Sequence, residues 1–171
     1  MSAAGKIAAL EVLDREWQEL DALFSGLTPA ELERPVFTDD GPGWRVRDLI
    51  PHLAAWQDRA ARAARKVAAE GIAPAPDERV RTFIGLTDTV DDMNDVTFKV
   101  WRERTIADLL AEFREKHDDL MRGLAALAPE QIMNGDTVDD LFMAFRVPGL
   151  VHLRKHRADL AAVLANEGAT T

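Results

Sequence analysis

A chain of 171 residues has the length of one domain, read here as 1–171, and can bury roughly 70% of its unfolded surface, enough for a core without staples. It has no cysteine, which removes disulfides, thiolate metal sites and cysteine nucleophiles together. Thirty acidic residues against 21 basic ones give a net charge of −9, which argues against a nucleic-acid partner.

Apolar residues make up 47% and charged residues 30%, a globular composition. No run approaches the roughly 18 apolar residues of a membrane span, so no membrane partner is expected. The opening MSAAGKIAALEVLDRE has no apolar stretch behind a basic head, so the expected location is cytoplasmic.

Ile7, Leu10, Leu13, Trp17, Leu20, Phe24 and Leu27 recur every three or four residues and predict a first amphipathic helix over 6–26. Thr28-Pro29-Ala30-Glu31 combines an N-cap, a first-position proline and a capping-box acid, so a short helical turn follows. TDDGPGW (38–44) reads as a loop. A second long helix, 46–70, carries the stripe Leu49, His52, Leu53, Trp56, Ala60, Ala63, Ala64 and Val67, with Pro51 early enough that its missing N–H costs little, with or without a bend. GIAPAPDER (71–79) is an extended connector, and 80–104 holds short helical pieces.

Thr105 and Asp108 form a capping pair for a third helix, 105–127, with Ile106, Leu109, Leu110, Phe113, His117, Leu120, Met121, Leu124 and Leu127 inward. QIMNGD (131–136) is a turn. The last stripe, from Val138 through Phe145, His152, His156 and Leu160 to Leu164, predicts a fourth helix over 138–166, either bent at Pro148 or broken there into two. The expected fold is all-α, a four-helix bundle. Bundle loops usually run about 2–8 residues. The link between the second and third helices is far longer, which lets those two run parallel in an up-down-down-up order.

Four histidines carry the chemistry. His152 and His156 are four apart on one helix, roughly 6 Å along its axis and on one side of it, so both imidazoles can reach one divalent ion. Each can also be read as a core histidine bonded to a backbone carbonyl. His52 lies roughly 9 Å from the start of its helix and His156 roughly 12 Å from Leu164, at 1.5 Å per residue. If those helices are antiparallel and share an end, the three sit at one height. Three neutral imidazoles leaving an open fourth position describe a catalytic site; zinc, nickel, iron or copper suits them and spacing alone does not choose, with zinc or nickel the leading expectation. Asp48, one turn before His52, is a candidate to orient its ring or to act as a general base, and also a plain first-turn acid. Trp44 and Trp56 are candidate substrate-pocket walls. Arg45 and Arg47 are candidate carboxylate binders or solvated charges. His117 lies too deep in its helix, at roughly 17 Å, and reads as a core residue.

GPGWRVRDLIPHLAAW (41–56) and HLRKHR (152–157) resemble the helix-two and helix-four histidine signatures of the DinB-like four-helix-bundle superfamily. Residues 94–127 are most similar to its ClbS/DfsB branch, and mycothiol-dependent maleylpyruvate isomerases share the Pro-Gly-Trp helix start. Pro51 before His52, and Arg45 where Ser or Thr usually caps, depart from the pattern. The resemblance implies a divalent metal on His52, His152 and His156, and relatives that act as transferases or isomerases with a low-molecular-weight thiol. It also implies a homodimer, an expectation joined by the off-stripe apolar residues Leu23, Phe98 and Met143.

Three functions follow. One is a metal-dependent thiol transferase or hydrolase acting on a small electrophilic metabolite. A second is a metal-independent resistance protein of the ClbS/DfsB type, with Asp48 as general base. The third is a non-catalytic dimeric bundle.

Overall fold

The computed structural model describes residues 2–36, 43–70, 94, 98–132 and 150–165. Every regular element among them is helical, and their only β feature is an isolated bridge between Pro35 and Arg45. The connector 71–79, most of the pieces expected over 80–104, and the first half of the helix expected over 138–166, with Met143, lie outside the described residues.

Helix α1 (Ala3–Gly26) starts four residues before its apolar stripe does, because the Ser2 hydroxyl accepts the Gly5 N–H at 3.0 Å and caps it. Leu13, Leu20 and Phe24 are buried, whereas Ile7 is 58% exposed, so the first turns do not join the core. The short helix α2 (Pro29–Leu32) opens on a capping box: Thr28 Oγ1 accepts the Glu31 N–H, and Glu31 Oε2 accepts the Thr28 N–H at 2.7 Å.

Helix α3 (Val46–Glu70) runs through Pro51 without interruption. Arg45 offers no capping side chain, and the start of the helix is secured in two other ways. Asp48 Oδ2 accepts the Arg45 N–H at 2.8 Å, and the Arg34 carbonyl accepts the Val46 N–H at 2.9 Å.

Helix α4 (Ile106–Ala126) is capped by Thr105, whose hydroxyl accepts the Asp108 N–H. Its far end is closed by Lys6, whose ammonium donates to the Ala125 and Leu127 carbonyls. A single turn, α5 (Pro129–Ile132), follows it. The last described element is α6 (Val151–Ala165).

The most extensive helix contact is between α3 and α4. A Cβ built on Gly123 would lie 3.2 Å from both the Ala61 carbonyl oxygen and Ala64 Cβ, so glycine lets the two backbones approach. Asp58 meets Lys116, Arg65 meets Asp119, and Gln131 donates to the Val67 carbonyl. Those pairs advance together along both chains, so α3 and α4 are parallel. Across α1 and α4 the order reverses: Lys6 reaches Leu127, Asp14 meets His117, and Asp21 meets Arg114. The core between the helices is built from Leu20, Phe24, Leu53, Phe113, Leu120, Leu153 and Leu160.

Candidate metal centre

His52 comes from the second turn of α3, while His152 and His156 come from the first two turns of α6. They are 2%, 7% and 0% exposed. Their Nε2 atoms converge: His152 Nε2 lies 2.9 Å from His52 Nε2 and 2.9 Å from His156 Nε2. Ligand atoms of all three lie within 4.8 Å of one another.

A ring nitrogen has one in-plane orbital, which holds either a hydrogen or a lone pair. His152 Nε2 can therefore serve one neighbour by a hydrogen bond, while the other contact sets two lone pairs or two hydrogens face to face. A cation in the middle satisfies all three atoms. Zinc at about 2.0–2.1 Å from each nitrogen would need them roughly 3.3 Å apart, and two of the three separations are 2.9 Å. The donor set thus fits a divalent metal.

Burial holds the His52 imidazole well below its ordinary pKa, and the nearby His156 and Lys155 act in the same direction, while Asn94 beside the ring partly offsets them. A neutral ring is the form that binds a metal. On α6, His156 turns its outer nitrogen to Asp159, with Nδ1 and Oδ2 3.0 Å apart.

Two tryptophans flank the rings. Trp44 meets the His52 ring edge-on at 4.8 Å, and Trp56 meets His152 at 5.5 Å. Trp44 also lines a crevice leading to His52, together with Asp48, Pro51, Asn94, Phe98 and Arg102; Trp56 is not among its described lining residues. The crevice has about 10 Å³ of free space, room for one water. Asp48, Phe98 and Arg102 are shared with an outer cleft of about 260 Å³, which Gly43, Arg45, Arg47 and Glu103 complete. The crevice at His52 and the outer cleft thus adjoin the same Asp48, Phe98 and Arg102 side chains.

Asp48 does not bond the His52 ring. One of its oxygens is committed to the Arg45 N–H, because a carboxylate three residues into a helix reaches its own N-cap more readily than a ring one turn further on. Burial raises its carboxyl above the ordinary value, with the Arg45 N–H, Arg47 and Arg45 pulling the other way. Arg45 and Arg47 both pair with Glu33, and Arg47 also donates to the Arg104 carbonyl. Arg102 stands over the Phe98 ring at 5.4 Å.

His117 is remote from the cluster. Its ring stacks on Trp17 at 4.1 Å and 5°, and its Nε2 lies 3.0 Å from Asp14 Oδ1. Phe98, expected as an outer apolar residue, is partly buried against the core.

Sequence reading did not single out Asn94, Arg102 or Asp159 as site residues. An acid three positions after the second histidine is the one local signal available, and it points to Asp159.

Comparison with protein families matches residues 13–148 to the mycothiol maleylpyruvate isomerase N-terminal domain. The match covers most of the chain, and the chain belongs to this family, a branch of the DinB-like superfamily. It takes in His52 and stops just short of His152, so the place of the two α6 histidines rests on geometry. No curated protein and no solved structure matches the chain.

Proposed function

We propose that this protein is a metal-dependent enzyme that activates a small thiol, or water, for attack on a small electrophilic metabolite. The observation that carries the reading is the convergence of three buried Nε2 atoms on one point, at the inner end of a crevice joined to a cleft. The family supports a thiol as co-substrate. When bound, a divalent ion there supplies the Lewis acidity that lowers the pKa of a thiol or water toward neutrality.

The chain's own residues do the rest. His52, His152 and His156 hold the site and, being neutral donors, leave its full positive charge uncompensated. Trp44 and Trp56 close two sides and keep water from the rings. Phe98 and Arg102 set what passes inward from the cleft. In this reading the chain is a single domain with four long helices in up-down-down-up order, supported by the parallel α3–α4 and antiparallel α1–α4 pairings.

The decisive measurement is elemental analysis of protein prepared without chelator or affinity metal, followed by conjugation assays with thiol and electrophile. Near one zinc or nickel per chain, with activity lost on chelation and restored by metal, is expected. A chain that neither retains nor takes up metal ends the reading.

One observation favours a second reading. Asp48 lines both cavities with a carboxyl that burial makes more basic, as a general base in a metal-independent protein of the ClbS/DfsB type requires. Asp48→Asn would then abolish activity while His156→Ala spared it, the reverse of the metal reading.

A further inference from the structure

We propose that Asp159 is a positioning residue that sets the tautomer of His156, and so decides whether the third nitrogen of the cluster is a donor atom at all. The affinity part of this inference rests on the metal reading above; the tautomer part does not.

A neutral imidazole carries one hydrogen on either Nδ1 or Nε2, and the other nitrogen keeps the lone pair. Only a lone pair on Nε2 makes His156 useful to the cluster. Asp159 lies one turn after His156 on the same face of α6, and its Oδ2 is 3.0 Å from His156 Nδ1. A carboxylate can only accept, so that contact requires the hydrogen on Nδ1 and leaves Nε2 bare, 2.9 Å from His152 Nε2.

His156 is 0% exposed, whereas the Asp159 side chain is 21% exposed. The carboxylate thus stays hydrated on its outer side while its inner oxygen fixes a ring that no solvent reaches. Without that carboxylate, a hydrogen on His156 Nε2 is favoured by the neighbouring His152 Nε2, 2.9 Å away, which can accept it. The cluster would then close on itself through a hydrogen bond.

The test uses the full chain, metal-free, near pH 8, with long-range proton–nitrogen NMR reporting the His156 tautomer. The wild type is expected to carry Nδ1–H, Asp159→Ala to shift to Nε2–H, and Asp159→Asn, whose amide oxygen still accepts, to return to Nδ1–H. Zinc alone, titrated against a chromophoric chelator, should bind Asp159→Ala about 10- to 100-fold more weakly than wild type, with Asp159→Asn between. A merely structural surface acid would move neither the tautomer nor its rescue. Nε2–H in the wild type, or an Asp159→Ala spectrum unchanged from wild type, overturns the proposal, as does unaltered zinc affinity in that variant. A tautomer switch from wild type to Asp159→Ala, with wild-type protein that binds no zinc, upholds the role of Asp159 and overturns the metal reading instead.

Discussion

His117 and His156 are both fully enclosed histidines on long helices, and the proposed metal site gives them opposite duties. Replacing His117 with alanine removes a ring stacked on Trp17 at 4.1 Å and a bond to Asp14 at 3.0 Å. The stack is worth about 0.5–1.5 kcal/mol. A bond to a charged partner is worth about 1.5–3 kcal/mol when buried, and near ~1 kcal/mol here because the Asp14 side chain is 40% exposed. The void left between α1 and α4 adds to both, giving about 2–4 kcal/mol in all. For a chain of this size that lowers the melting temperature by roughly 5–15 °C. Metal content should not change, since His117 packs between α1 and α4, away from the cluster. His156→Ala removes one of three donor atoms from a site that has no spare. It should abolish the stabilisation that metal confers, about 2.7 kcal/mol with free zinc at a hundred times its Kd. Thermal melts with and without zinc, paired with elemental analysis, separate the two. A His117→Ala variant that no longer responds to zinc, or a His156→Ala variant that still does, would refute the assignment.

Acid should weaken the metal-free fold. Burial is the largest cause holding His52 and His117 below their ordinary pKa, with Asp14 opposing it at His117. Such groups take up protons more readily unfolded, so stability is full above about pH 6.5 and falls below it; urea midpoints that rise on acidification would contradict this. The same depression of His52 should let zinc binding persist below the pH at which a free imidazole protonates, which a zinc titration across pH reads directly. Gly123→Val should destabilise by about 1–3 kcal/mol, because even a bare Cβ there meets Ala61 and Ala64 at 3.2 Å; unchanged melting would mean the helices separate freely. Homodimerisation is expected from the exposed Leu23, Val100 and Val151, and light scattering near 19.0 kDa at high micromolar concentration would dismiss it.

What could be read from the sequence was what depends on near neighbours. Thr28 with Glu31, and Thr105 with Asp108, cap helices because their partners lie three residues away, and the structure shows both. Ser2 escaped because the apolar stripe begins only at Ile7, and an exposed first turn leaves no hydrophobic trace. The α6 histidines declared themselves by spacing. His52 joined them through helix register, a long-range argument open to sequence because helices have a fixed rise, and ligand atoms of the three rings lie within 4.8 Å of one another. Asp48 shows where such reasoning fails. Its spacing suits a bond to His52 and suits a cap equally well, and the cap prevails because its own backbone N–H is already in place when the first turn forms. Asn94, Phe98 and Arg102 lie further from any local rule. They approach His52 from a separate stretch of chain, and no periodicity in 94–102 records which helix end that stretch will cover. The three clustered histidines are therefore written in helical spacing, whereas the residues lining the crevice beside them are written in tertiary placement. Specificity for one metabolite should accordingly respond to changes at Phe98 and Arg102 that leave metal content untouched.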